Sequence, residues 1–315
     1  MKVLLTGGAG CLGSNLVERL IPAGHQVLVI DNFATGKREV LPAVDGLEVV
    51  EGSIVDSALV DECFDRFEPT HVIHSAAAYK DPDNWVEDID TNGRGTAHVV
   101  RASERHNVEQ LIYFQTALCY GRPETVPIPV EAPTRPFTSY GTSKLAGEHY
   151  VAMANVPWVS LRLANVTGPR LAIGPIPTFY KRLKAGQGCF CSDTVRDFLD
   201  MQDFMSLMDR LFEGNVPSGV YNVSTGEGRT IKDIFDVVVE HLGITLEKSV
   251  PVVPPGDDDV PAVVLDPTET ERALGWRANI GFDETIRRML RWYDEHGVTD
   301  VFSHLKPAIT ATDEG

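Results

Sequence analysis

Residues 3–14 read VLLTGGAGCLGS, and the fold turns on what the glycines in that stretch are for. A short apolar run ends in Thr-Gly-Gly, and LGSNLVERLI (12–21) then shows helical apolar spacing. Gly8, Gly10 and Gly13 form G-x-G-x-x-G, and Gly7 extends it to TGGxGxxG. Between a strand and a helix, this pattern is the signature of a dinucleotide-binding turn. The glycines permit a tight turn and close approach to a pyrophosphate, which the helix N-terminus stabilises. The loop residues Gly7, Gly10, Cys11, Leu12 and Gly13 are therefore expected to bind a cofactor. A second strand, QVLVI (26–30), ends at Asp31. An acid about twenty residues after the glycines accepts hydrogen bonds from the adenosine ribose hydroxyls. Its charge repels a 2′-phosphate, so the expected cofactor is NAD rather than NADP; Lys37 and Arg38, just beyond, temper that preference.

Outward from this unit, LEVV (47–50), THVIH (70–74), QLIYF (110–114) and WVSLRL (158–163) read as further strands. Between them SALVDECFDRF (57–67), a long stretch over 85–106 and SKLAGEHYVAMA (143–154) read as helices. Strands alternating with helices of this length predict βαβ units and a parallel sheet covered on both faces. The fold class is thus α/β, a Rossmann-type doubly wound parallel sheet, followed by a smaller mixed α/β substrate domain. Beyond residue 165 prolines and glycines crowd 168–177, and strand signals thin out. A strand–helix unit appears over 219–242, where Thr230 and Asp233 are spaced as a capping box. VPVVPPGDDDVP (250–261) reads as loop and FDETIRRMLRWYDEH (282–296) as a final helix. The expected division is 1–165 plus about 199–224 for the NAD-binding domain, then 166–198 and 225–305 for the substrate domain. Residues 306–315 are expected to form a frayed tail.

The chain has 315 residues and a formal charge of −17, which argues against a nucleic-acid or anionic-membrane partner. A small anionic ligand remains compatible, since a few placed arginines hold a diphosphate locally. No apolar run reaches the length of a membrane span, and the short MKVLLTGG start lacks a signal-peptide pattern. A cytoplasmic location is expected. The five cysteines (Cys11, Cys63, Cys119, Cys189, Cys191) show no paired or metal-ligand spacing. They are expected to be buried reduced thiols, and no metal is expected.

SYGTSK (139–144) sets Tyr140 and Lys144 four apart, on one face of a helix. Alone, such a pair is commonly a surface feature. Its chemical use is a phenol acting as base, its phenolate favoured by a neighbouring ammonium and a cationic nicotinamide. TGGxGxxG, DNFATGK (31–37), HSAAA (74–78), TNGRGT (91–96), Y-x-x-x-K, LRLANVTGPR (161–170), VRDF (195–198), YNVSTGEG (221–228) and LGW (274–276) occur in this order. So ordered, the chain resembles the extended short-chain dehydrogenases/reductases. Within them it is most similar to the NAD-dependent nucleotide-sugar epimerases and dehydratases of the UDP-glucose 4-epimerase type.

The resemblance implies a catalytic set of Thr116, Tyr140 and Lys144, the threonine standing four residues before the Tyr-Gly at 120–121. It also implies cofactor contacts from Asn32, Gly36, Ser53, Ile54, Ala76, Lys80 and Asn92 besides the glycine loop and Asp31. Lys80, Thr116, Asn165, Phe190 and Arg196 would face the substrate, with Asn165 and Arg196 on its diphosphate. Several departures stand out. Phe114-Gln115 replace the serines usual before the threonine, which implies a changed substrate-facing wall. Ser53 replaces an aspartate, and Pro254-Pro255-Gly256-Asp257 lacks the preceding diphosphate arginine. Uronic-acid 4-epimerases of this type carry threonine where Asn165 stands, so a neutral or acetamido sugar is favoured. Dehydratases of this kind carry Asp-Glu, and uronate decarboxylases a glutamate, where this chain has Ala117-Leu118. Elimination and decarboxylation lose their groups, and reversible oxidation remains. Cys119, one residue before Tyr120, is expected by strand alternation to point into the core.

The expected activity is C4 inversion of a UDP-hexose or UDP-N-acetylhexosamine, within polysaccharide biosynthesis. The alternatives are a net nucleotide-sugar reductase or dehydrogenase, and a non-catalytic NAD-binding regulator. By the same analogy the chain forms a homodimer through the 85–106 stretch and the helix bearing Tyr140.

Overall fold

The computed structural model describes residues 1–256, 259–298 and 301. The expectations placed on Asp257 and on a frayed 306–315 tail lie outside the described residues. Strands β1 (Lys2–Thr6), β2 (Gln26–Asp31) and β3 (Leu47–Glu51) alternate with helices α1 (Cys11–Leu20) and α2 (Ser57–Phe67). After β4 (His71–His74) come α3 (Trp85–Asp88), a π-helical turn over Ile89–Gly95, and α4 (Thr96–Arg105). Next are β5 (Gln110–Thr116), α5 (Ser139–Ala152), β6 (Trp158–Leu163) and β7 (Asn165–Thr167). The rest is α6 (Pro175–Lys184), β8 (Cys191–Ser192), β9 (Val195–Arg196), β10 (Phe198–Asp200), α7 (Met201–Phe212) and β11 (Gly219–Val223). Last come β12 (Arg229–Thr230), α8 (Ile231–Leu242), β13 (Val252–Val253), β14 (Ala262–Val263), α9 (Thr268–Leu274) and α10 (Phe282–His296).

Seven strands form one parallel sheet in the order β11-β6-β5-β4-β1-β2-β3. The chain winds one way from β1 to β3 and the other from β4 to β11, so β1 and β4 flank the switch point. Ligands of such sheets bind there, beyond the strands' carboxyl ends. Side-chain alternation divides the core. Val3, Leu5, Val27 and Val29 face α1 and α7, packing with Leu16 and Phe204. Leu4, Leu28, Ile30 and Val72 face the opposite way, against Val60, Phe64, Val99 and Val151. A third apolar cluster joins α6, α8 and α10 through Phe179, Phe235, Ile286 and Leu290. Thr230 and Asp233 make both hydrogen bonds of the capping box at the start of α8. β11 returns to the main sheet beside β6.

Three local expectations are corrected. The 85–106 helix is interrupted by the π turn, which includes Gly93 and Gly95; a Cβ on Gly95 would come within 2.7 Å of Ile54. Residues 252–253 are not loop but pair with β8. β5 stops at Thr116, and Ala117–Tyr120 form a 3₁₀ turn. Strand alternation therefore does not govern Cys119. It is buried because that turn packs with Ile128, Val260 and Leu265, and burial pushes its thiol up to about 12.

Candidate active site

A cavity of about 750 Å³ opens beyond the carboxyl ends of the main sheet. Gly7, Gly10, Cys11 and Leu12 wall one side of it, with Asp31 and Asn32 at the end of β2. Gly7 has φ +71°, and a Cβ there would stand 2.6 Å from the Ala76 amide nitrogen, so only glycine fits. Gly13 packs helix to loop: a Cβ would meet the Gly7 carbonyl oxygen at 2.3 Å. The Asp31 carboxylate accepts the Ala9 and Phe33 amides, each at 2.8 Å. Burial raises its pKa and those two bonds oppose the rise. A glycine cradle with no side chain in the way and a placed acid at the second strand fit a dinucleotide.

Ser53, Ile54, Ala76 and Lys80 also line this cavity, whereas Gly13, Gly36 and Asn92 do not. Gly36 backs onto Ala9, whose carbonyl carbon would be 2.6 Å from a Cβ. Asn92 is fully buried in the π turn. Its side chain accepts the Ala78 amide at 2.9 Å and donates to the Ala78 carbonyl at 2.8 Å and to Ser143 Oγ at 3.0 Å. It thereby sets the loop that carries Tyr79 and Lys80. Contrary to a wholly buried set of thiols, Cys11 and Cys189 are part-exposed on the cavity wall.

Thr116 ends β5 and Tyr140 sits in the first turn of α5, where Thr138 caps the helix by accepting the Gly141 amide. Thr116 and Tyr140 line the same cavity, and Thr116 Oγ1 accepts the Leu118 amide at 3.2 Å. Desolvation, then the neighbouring ionisable Tyr79 and Asp88, hold the phenol well above its ordinary pKa, with the Thr116 hydroxyl opposing them. Lys144 lies one turn on. Its Nζ donates to the Phe114 carbonyl at 2.6 Å and lies 4.0 Å from the centre of the Tyr113 ring. Burial lowers Lys144 to about 7, and Glu148 partly counters it. The lysine, read from the sequence as a direct neighbour of the phenol, is thus held by the β5 backbone.

Gln115 lines the cavity with Phe114. It is buried, donates to the Lys144 carbonyl at 3.0 Å beside Tyr113 Oη, also at 3.0 Å, and accepts the Thr116 amide at 2.7 Å. Phe114 packs on Phe204.

Lys144 has a stability consequence. Its folded pKa lies below the unfolded value, so the unfolded chain binds more protons between about 7 and the ordinary lysine pKa of 10.5. Its contribution to stability therefore rises with pH across that window. In cofactor-free protein, melting temperature against pH from 7.5 to 9.5 is expected to climb more steeply for wild type than for Lys144→Met. Parallel curves would contradict the assignment.

The cavity continues to Asn165, Phe190 and Arg196. Asn165 is exposed and donates to the Asp197 carbonyl at 2.9 Å. Phe190 is 43% exposed, hence not a core aromatic. Arg196 is paired with Asp259, a second cavity-lining group that the sequence did not single out. Ala117 and Leu118 present apolar surface to the same space. Tyr79 and Thr35, also missed, line the dinucleotide side. No local pattern distinguishes a tyrosine ahead of Lys80.

The family model for the NAD dependent epimerase/dehydratase family matches residues 3–224. The chain belongs to this family. NAD is its cofactor, consistent with the cradle and with Asp31. Among solved structures, the Bordetella bronchiseptica enzyme WbmG in complex with NAD and UDP is 64% identical, with a TM-score of 0.94 over 98% of this chain and 99% of that one. WbmH of the same organism, in complex with NAD+, is 40% identical, TM-score 0.89, over 94% and 99%. A UDP-glucose 4-epimerase of Corynebacterium glutamicum is 30% identical over 88% of this chain and 90% of its own. Among the described residues no helix is long and apolar enough to cross a membrane.

Proposed function

We propose that this family member inverts C4 of a UDP-hexose or UDP-N-acetylhexosamine through a 4-keto intermediate. The observation that carries the reading is the convergence of Thr116, Tyr140 and Lys144 on a cavity shared by the glycine cradle, Asn165 and Arg196. Ala117 and Leu118 offer no acid or base for elimination. Tyr140 takes the O4 proton, with Thr116 relaying or donating at the same oxygen. NAD supplies the acceptor for the C4 hydride and then its donor. The ketone turns and receives hydride on its opposite face, and Tyr140 returns the proton, so there is no net redox. Arg196 contacts the diphosphate, a bidentate charge-assisted recognition, and Phe190 packs on the base. Domain limits of 1–165 plus about 199–224 for NAD, and the remainder for the sugar, fit the separate apolar cluster of α6, α8 and α10.

Homodimerisation is part of this proposal, through exposed Trp85, Val86 and Ile89 near the π turn, Tyr150 on α5 and Met153 just past its end. A place in polysaccharide assembly is proposed from the substrate class. Incubation with UDP-glucose, UDP-N-acetylglucosamine and their uronates, without added cofactor and with products resolved by NMR, tests the reading. A C4-inverted product without NADH is expected. NADH formed only after NAD is added would make the enzyme a net dehydrogenase. Retained NAD without any conversion would favour the regulator.

A further inference from the structure

The sugar-nucleotide side of the cavity contains an acid where an anion is to bind. Among its described lining residues that come after β6, the charged ones are Arg182, Arg196 and Asp259. Arg182 on α6 donates through Nε to the Gly188 carbonyl at 2.8 Å. Arg196 on β9 is committed at both ends of its fork: Nη1 donates to the Val195 carbonyl at 2.7 Å, and Nη2 donates to Asp259 Oδ1. Asp259 is anchored for that contact. Its amide donates to the Gly256 carbonyl at 3.1 Å, and its Oδ1 also accepts the Val260 amide at 2.8 Å. Val260 is buried in the cluster that holds Ala117 and Leu265. The Pro261 carbonyl accepts the Val195 amide at 2.7 Å, and Ala262–Val263 then pair with Val195–Arg196 as β14 with β9. Backbone pairing thus keeps the acid beside the arginine. Their side chains are 14% and 13% exposed, so water screens the pair poorly.

A carboxylate at this point does not help to hold a diphosphate. The guanidinium carries one positive charge, already balanced by Asp259, and a diphosphate beside the intact pair would set its own negative charges against the carboxylate. Yet a guanidinium so enclosed needs a counter-charge whenever the nucleotide is absent. We propose that Asp259 is the resident counter-ion of Arg196 and is displaced when the diphosphate binds, so that it sets how tightly the nucleotide is held. That role rests on the reading that Arg196 meets the diphosphate. Binding exchanges one ion pair for another, and the carboxylate recaptures the arginine as the nucleotide leaves. Asp259 therefore lowers affinity for the nucleotide and hastens its release.

Titration calorimetry of UDP into the NAD-loaded enzyme is the test. Asp259→Asn removes the competing charge and should bind UDP about tenfold more tightly. A residue that merely supported the fold or aimed the arginine would, once replaced, weaken UDP binding or leave it alone, so the sign of the change is decisive. Arg196→Gln should weaken UDP by about tenfold or more. In the double variant Arg196→Gln/Asp259→Asn the gain should vanish and UDP should bind as in Arg196→Gln, because the acid has no arginine left to hold. Unchanged or weaker binding in Asp259→Asn would overturn the displacement. So would a full gain kept in the double variant, since Asp259 would then act by repelling the phosphates directly. Loss in Arg196→Gln without a gain in Asp259→Asn would leave the arginine on the diphosphate and sink the counter-ion role alone. Wild-type affinity in Arg196→Gln would take the arginine off the diphosphate and overturn both. If Asp259→Asn does not fold, Asp259→Ser, which admits water beside the guanidinium, makes the same comparison.

Discussion

Tyr140→Phe is expected to lower turnover by about 10²–10⁴-fold while NAD stays bound. The substitution removes one oxygen, the atom that accepts the substrate proton in the proposed mechanism. The ring remains, so its packing on Tyr79 survives. In the absence of ligands the enclosure of the phenol works against ionisation. Lys144 gives its Nζ to the Phe114 carbonyl. The charge that favours the phenolate must then come mainly with the bound cofactor's nicotinamide, which couples base strength to NAD occupancy. Turnover and bound NAD measured on the same preparation decide the point. Activity within a few-fold of wild type would remove Tyr140 from the role of base, whereas loss of both activity and NAD would indicate a structural defect.

Glu148→Ala should give the largest loss of stability, about 3–5 kcal/mol. Glu148 is on α5, one turn past Lys144, and is 3% exposed; Arg162 on β6 is 7% exposed. The pair is bidentate, at 2.6 Å and 3.1 Å, and Ser160 Oγ donates to the same carboxylate at 2.8 Å. Arg162 also donates to Tyr120 Oη at 2.8 Å and to the Val130 carbonyl at 3.1 Å, and Tyr120 donates to Asn222 on β11 at 2.7 Å. Removing the carboxylate leaves a buried guanidinium without its counter-charge. The remaining hydrogen-bond acceptors do not neutralise it. Glu148→Gln keeps an acceptor and should lose less. Denaturant unfolding is the measurement, and a loss below about 1 kcal/mol would show that the carboxylate is not what keeps Arg162 buried. The helix that carries Tyr140 rests on this network, so activity should fall with stability in the alanine variant.

The two substitutions probe parts of the molecule that were unequally visible in the amino-acid order. Tyr140 stands in a local spacing, as do the glycine loop, Asp31 and the Thr230–Asp233 cap. Each is fixed by neighbours within a turn or two, and its chemistry follows from residue type and interval. Those motifs, in their order, were enough to determine the parallel α/β fold and the dinucleotide, and to nominate Thr116, Tyr140 and Lys144 for the proposed chemistry. The placement of Gln115 under α5, the π turn that buries Asn92, the Arg196–Asp259 pair and the packing of Tyr79 on Tyr140 were decided only by the tertiary structure. Their partners lie far apart in the chain, and several of these side chains could equally have faced solvent or substrate. Periodicity reports which residues share one element's face. It carries no information about which distant element meets that face, and here such meetings shape the wall of the cavity.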